Sequence, residues 1–313
     1  PMIHPNLKEY LPSYYFSTIN PHAAYPKLEG RLKTETCVIG GGLTGLCTAL
    51  PLAENGREVT VLEAARIGFG ASGRSGGQVI SDYACGMEEI EKQVGLEQAR
   101  WFWQQSLQAV ELVDERVKKY QIACDWQRGY ATVAIRPQHW EELQQWHEHA
   151  RQHYGATHYQ LWDKATLKQQ LASDMYLGAQ FDPHSGHLHP LNYTLSIARA
   201  AAEAGAQIFE QSPMTCIEPY QGGWLIHTPD GSIECQNLVY AVNTYAGLHQ
   251  KFKPLEKKAI AISTFIIATE PLGERAKELI RNNMAVCDNR HVLDYYRLSS
   301  DGRLLFGGKD NEF

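Results

Sequence analysis

The stretch TCVIGGGLTGLCTAL, residues 36–50, runs a short β-branched strand directly into glycines and then into an apolar helix. Gly40, Gly42 and Gly45 satisfy G-x-G-x-x-G in the context that gives the motif meaning, after a strand and at a helix start. Gly40 permits the tight turn, Gly42 lets backbone approach a pyrophosphate, and Gly45 allows close helix–strand packing. The helix N-terminus adds unpaired N–H groups and a partial positive charge. Residues 36–40 are expected as strand, 43–55 as a helix closed by Gly56, and 58–62 (EVTVL) as the next strand, which makes a βαβ unit. Glu63 ends that second strand, where a carboxylate accepts from ribose hydroxyls. Pro51 lies inside the helix and is expected to kink it. To this point the reading specifies an ADP-containing cofactor and leaves NAD and FAD open.

A second glycine-rich loop, RIGFGASGRSGGQ (66–78), follows at once. NAD does not require it, whereas FAD is longer and can lie across it. Arg74 can pair with a phosphate, and Gly76-Gly77 lets the backbone pass a flat ring. This loop moves the expectation to FAD.

Further along, residues 88–120 read as one helix with Trp101, Phe102, Leu107, Val110, Leu112 and Val113 on its apolar face. YATVAI (130–135) reads as a strand, 138–152 as a surface helix and 191–204 as an Ala-rich helix ending at Gly205. Residues 223–242 read as a hairpin around Pro229-Asp230-Gly231 followed by an apolar strand. Residues 257–308 alternate strands with one helix near 272–282. The pattern predicts an α/β protein. Its Rossmann-like FAD-binding domain is assembled from discontinuous segments (30–105 and 186–250). An α+β substrate domain on a mostly antiparallel sheet (106–185 and 251–313) is inserted into it, and 1–29 form an N-terminal extension.

A formal net charge of −6 argues against a nucleic-acid partner. No apolar run is long enough for an integral membrane helix, and Pro1–Leu11 lacks a basic-then-apolar leader. The seven cysteines are odd in number and never spaced C-x-x-C, which suits reduced thiols in a cytoplasmic protein. The chain opens on Pro1 and stops just after a strand, so a longer natural protein is expected. Oligomeric state is not legible.

From CVIGGGLTGL through REVTVLEAARIGFGASGRSGGQ the chain resembles the N-terminus of the D-amino acid oxidase-like flavoprotein family. The resemblance continues in KKYQIACDWQRGYATVA (118–134), SGHLHPLN (185–192) and LDYYRLSSDGRLLFGG (293–308). It implies FAD, a sheet-based substrate domain and oxidation of a carbon–nitrogen bond. Position by position it implies that Gly40, Gly42, Gly45 and Glu63 hold the ADP half. Arg66, Ala71, Ser72, Arg74, Gly76, Gly77 and Gln78 then wrap the pyrophosphate and flavin. Met214 meets the adenine, and 239–247, with Asn243, closes over the ADP moiety. Relatives that attach flavin through a histidine carry it in this loop, where Ser72-Gly73-Arg74 stands instead.

Tyr295 and Arg297 share one strand face and Tyr296 the other. These three, with His189, are the substrate-binding candidates. His184, His187 and His189 bring no cysteine or carboxylate cluster with them, so no metal is expected; they read as a turn leading into the 191–204 helix. No Ser/His/Asp or paired-carboxylate set is evident and no catalytic residue is named, because the chemistry is flavin-centred. The expected enzyme passes hydride from an amine, γ-glutamylputrescine or similar, to FAD. The resulting imine hydrolyses to an aldehyde, and oxygen or another acceptor takes the electrons. The alternatives are oxidation of glycine, sarcosine or a D-amino acid, a truncated non-catalytic flavin-binding remnant, or an NAD-dependent dehydrogenase.

Overall fold

The computed structural model describes residues 9–248, 258 and 264–310. In chain order the first elements are α1 (Tyr14–Ser17), β1 (Gly30–Ile39), α2 (Leu43–Glu54), β2 (Val59–Leu62), β3 (Gln78–Val79), α3 (Met87–Val94) and α4 (Leu96–Lys119). Then come β4 (Gln127–Ala134), α5 (Pro137–Tyr154), β5 (Gln160–Asp163), α6 (Lys164–Lys168), β6 (Gly178–His187) and α7 (Pro190–Glu203). The remainder are β7 (Gln207–Phe209), β8 (Cys216–Tyr220), β9 (Gly223–His227), β10 (Gly231–Tyr240), β11 (Thr264–Ala268), α8 (Glu274–Leu279), β12 (Ala285–Asp288), β13 (Tyr295–Leu298) and β14 (Leu304–Asp310). The chain divides into two compact units, Pro1–Ser75 with Pro190–Ile262 and Gly76–His189 with Ser263–Phe313.

The first unit is built on a sheet of order β7-β2-β1-β10-β9-β8. Its β7-β2-β1-β10 half is parallel, and the β10-β9-β8 half is a meander closed by the hairpin at Pro229–Gly231. The last four residues of β1 and all of β2 are buried, as a parallel strand covered on both faces requires. Cys37, Ile39, Leu62, Ile226 and Ile233 form one apolar cluster. α2 buries Leu46, Leu50 and Ala53 and packs on α7, whose Ala198 and Ala201 permit close approach. α2 runs unbroken through Pro51 to Glu54, because Pro51 is exposed and sits in the last turn. The expected N-terminal extension is integral here from residue 9 onward. Leu28 is buried and its N–H donates to Ser212 Oγ, and the Asn20 N–H donates to Asn192 Oδ1.

The second unit is built on an eight-stranded mixed sheet of order β11-β14-β13-β12-β4-β6-β3, with β5 also paired to β6. Only β12 and β4 run parallel; the other pairs are antiparallel. Residues 76–105, expected in the cofactor domain, pack in this unit. β3 pairs with β6, and Met87, Ala99, Trp103, Ala150 and Tyr154 share one core. Parts of the sequence expectations that fall on residues 1–8, 249–257, 259–263 and 311–313 lie outside the described residues.

Four local expectations are corrected. The helix read over 88–120 is two helices, broken at Gly95 (φ 80°, ψ 160°), a conformation essentially reserved for glycine. Trp101 and Leu112, read as apolar-face residues, are 59% and 43% exposed, whereas Trp103 is 1% exposed and anchors the core. The segment read as a turn through His184–His189 is strand as far as His187. Its pairing with β4 shifts register between Arg128 and Tyr130, opposite Pro183, so the missing N–H falls at an irregularity and the strand continues. The helix near 272–282 also shortens to Glu274–Leu279. Gly95→Ala is expected to cost about 1–3 kcal/mol in urea unfolding by straining that junction. A change below 0.3 kcal/mol would show that the helices can join differently.

Candidate functional site

In the first unit the glycine motif is held by contacts that only hydrogen at Cα allows. Gly40 has φ +110°, and a Cβ there would lie 2.3 Å from the Ala241 carbonyl oxygen. At Gly45 a Cβ would lie 2.0 Å from the Gly40 carbonyl oxygen, so α2 leaves β1 as closely as backbone permits. At Gly42 a Cβ would lie 2.8 Å from Ser72 Oγ, and that hydroxyl accepts from the Leu43 N–H at 2.9 Å. Ser72, in the turn Ala71–Gly73, thus joins the second glycine loop to the N-terminus of α2. Gly40, Gly42, Gly45, Glu63, Ala71 and Ser72 are brought together.

Glu63 accepts from the Gly41 N–H at 2.7 Å and the Ala65 N–H at 2.8 Å. Burial pushes its carboxyl up, against the opposing effect of those two backbone donors. Each oxygen keeps a further lone pair for a hydroxyl. Arg66 is engaged by carboxylates of its own unit, Glu210 at 3.0 Å and Glu9 at 3.2 Å. Glu210, which the sequence reading missed, is 2% exposed and also accepts from the Ile67 and Tyr25 N–H groups. No spacing rule marks it, since its partners lie far away along the chain. Arg74 is exposed, donates to the Gly70 carbonyl and sits over Phe69. Met214 packs on the cluster of Ile39 and Ile226. Asn243 has φ +51° and lies two residues after Ala241, whose carbonyl confronts Gly40.

In the second unit Gly76, Gly77, Gln78, His189, Tyr295 and Arg297 gather. A Cβ at Gly76 would lie 2.7 Å from the Tyr295 ring, and one at Gly307, directly opposite on β14, would lie 2.2 Å from it. Arg297 is 3% exposed and donates from Nε to the Gly76 carbonyl at 2.8 Å. The Gly77 carbonyl accepts from the Leu188 N–H, and Gln78 Nε2 donates to the Val286 carbonyl. Tyr296 lies apart, on the other face, stacked on Phe306 with its hydroxyl against Tyr176. The three histidines also diverge. His184 is exposed and stacks on His158, His187 is buried against the Asn283 carbonyl, and His189 is buried at the end of the unit's first segment. Burial, reinforced by the Arg297 charge, holds both His187 and His189 down at about 4. Among the described residues no group of three His, Cys, Asp or Glu could hold a metal ion.

The family model "DAO: FAD dependent oxidoreductase" matches residues 35–313. The chain belongs to this family. Its cofactor is FAD, and it is an oxidoreductase. The glycine cradle at the α2 N-terminus fits the ADP half of that cofactor: side chains are excluded there, and helix amides face outward to receive an anion. Among curated relatives of this DAO-family chain, the probable oxidoreductase OrdL of Haemophilus influenzae is 45% identical over 303 residues, 96% of this chain and 70% of that protein. The γ-glutamylputrescine oxidoreductase of Escherichia coli is 38% identical over 304 residues, again 96% of this chain and 70% of that protein. Among solved structures, glycine oxidase from Geobacillus kaustophilus superposes with a TM-score of 0.69 at 19% identity, covering 90% of this chain and 72% of that one. L-proline dehydrogenase from P. horikoshii gives 0.69 at 22% identity, with 88% and 70% covered. At such identities the two structures speak for the fold. None of the seven cysteines forms a disulfide, and no helix among the described residues is long and apolar enough to cross a membrane.

Proposed function

We propose that the chain oxidises the carbon–nitrogen bond of an amine, with γ-glutamylputrescine or a close analogue as substrate. The observation that carries this reading is the 38% identity to γ-glutamylputrescine oxidoreductase over 96% of the chain. When bound, FAD supplies the two-electron acceptor at which a hydride from the amine-bearing carbon is received. The substrate leaves as an imine, which water converts to an aldehyde and ammonia, and oxygen or another acceptor takes the electrons.

In this reading the first unit is the FAD-binding domain and the second the substrate domain. Gly40, Gly42, Gly45, Ser72 and the leading amides of α2 receive the pyrophosphate, and Glu63 receives the ribose. Arg66, Ala71 and Arg74 shape the second loop, Met214 and Asn243 border the ADP half, and Gly76, Gly77 and Gln78 border the flavin. Tyr295, Arg297 and His189 orient the substrate, and the reaction takes place in the cytoplasm. Tyr296 supports β13 from the opposite face. No residue serves as a strong base, because an uncharged amine releases hydride unaided.

Anaerobic addition of γ-glutamylputrescine to the full-length flavoprotein should bleach its absorbance near 450 nm within a turnover. Glycine and sarcosine should act at least tenfold more slowly. Full bleaching by glycine with none by γ-glutamylputrescine would overturn the substrate assignment.

A further inference from the structure

The second unit carries a half-open pocket of about 310 Å³, at the lower end of the range for small-molecule pockets. It lies against the face of β4 and β6 that carries Tyr130, Thr132, Gln180 and Asp182, and α3 and α5 complete it. Three carboxylates line it, Asp82, Glu88 and Asp182, and none of its lining residues is Lys, Arg or His. Asp182 is 4% exposed and held rigidly, accepting from the Ser81 and Ser185 hydroxyls and from the His184 N–H. Asp82 lines the same pocket with its side chain exposed to solvent, accepts from the Tyr83 N–H and has no cation beside it among the lining residues. Gln180 is 7% exposed and lines the same cavity, and its Oε1 has no hydrogen-bond partner among the described residues. A buried acceptor in that state costs stability unless a ligand donor meets it. Trp146 and Tyr159 supply aromatic wall.

Acceptors, unbalanced negative charge and aromatic surface call for one kind of occupant: a compact cation with several donors and an apolar stem. We propose that this cavity is an alkylammonium subsite, recognised chiefly by Asp82 and Gln180 over an aromatic wall. Its biological ligand follows from the amine-oxidation reading above, on which it rests: one ammonium group of a substrate of the diamine class.

The test uses the FAD-loaded full-length protein, kept anaerobic, in calorimetric titrations with n-butylammonium chloride, n-butanol and sodium butyrate at constant ionic strength. Butylammonium should bind at least tenfold tighter than butanol, and butyrate more weakly still. Asp82→Asn keeps the acceptor for the Tyr83 N–H and should weaken butylammonium about tenfold, leaving butanol unchanged. Gln180→Leu should weaken it about threefold to tenfold. Equal binding of the three wild-type probes overturns the proposal without any variant. So does an unaltered butylammonium affinity in Asp82→Asn and Gln180→Leu. If γ-glutamylputrescine fails to bleach the flavin while butylammonium still binds in an Asp82-dependent way, the substrate assignment fails and the subsite stands. If it bleaches the flavin with the same KM in Asp82→Asn, the subsite fails and the assignment stands.

Discussion

Gly45→Val is expected to give a protein without flavin and roughly 3 kcal/mol less stable than the parent. A Cβ at this position would lie 2.0 Å from the Gly40 carbonyl oxygen and 3.1 Å from Val38 Cγ1. The first obstacle is backbone, so no side-chain rotation relieves it; α2 must move away from β1. That movement displaces the leading amides of α2, which carry the positive end of the helix dipole to the pyrophosphate. It also separates the Leu43 N–H from Ser72 Oγ and frees the second glycine loop. Gly56→Ala is the matched comparison. Gly56 follows the other end of the same helix with φ +71°, and nothing lies within 4 Å of a Cβ built there. It should lose about 1 kcal/mol to left-handed strain and keep its flavin. The ratio of 450 to 280 nm absorbance and urea unfolding report the two effects separately. A Gly45→Val protein that keeps stoichiometric flavin would refute the role given to this contact.

The first unit was largely legible because its defining contacts are local. β1, α2 and β2 follow one another within about thirty residues, and the glycines and Glu63 sit where a βαβ unit places them. The second unit was less legible, because its sheet joins strands far apart in sequence: β12 pairs with β4, and β13 and β14 complete the edge toward β11. The alternation in Gln180-Phe181-Asp182 is a strand signal, but Pro183 and Gly186 masked it. Only the register shift against β4 explains how β6 accommodates the proline. The sequence reading assigns no element to residues 178–182, which also hid the pocket, since Gln180 and Asp182 share a face only if the chain is extended. Trp103 and Trp101 are two residues apart on α4 and have opposite fates. The break at Gly95 fixes the helix's start, and packing with Ala150 and Tyr154 then decides which of them is inward. Tyr295 filling the space over Gly76 and Gly307 had no sequence signal, because both glycines also read as turn or loop residues.

Stability is expected to fall steeply as pH drops from 6.5 to 4, by about 3 kcal/mol for each of His187 and His189 at pH 4. Both are buried, and in the folded protein both are held at about 4, by burial first and by the Arg297 charge second. In the unfolded chain their value is near 6.5. Between these pH values the unfolded chain binds the more protons, so stability is fully present above 6.5 and is lost as pH falls toward 4. The geometry at His187 gives the reason. Its Nε2 lies 2.8 Å from the Asn283 carbonyl, so that nitrogen carries the proton and donates it. Nδ1 is buried without a hydrogen-bond partner among the described residues. A second proton would have to sit on that nitrogen, unsolvated and opposed by the Arg297 charge. His187→Gln can retain a donor to the Asn283 carbonyl with no group that titrates in this range. Its stability between pH 7 and pH 4 should therefore fall by about 3 kcal/mol less than that of the parent, even if the variant starts lower at pH 7. Urea unfolding at half-unit pH intervals measures the difference, and parallel curves for parent and His187→Gln would show that this imidazole is not held neutral.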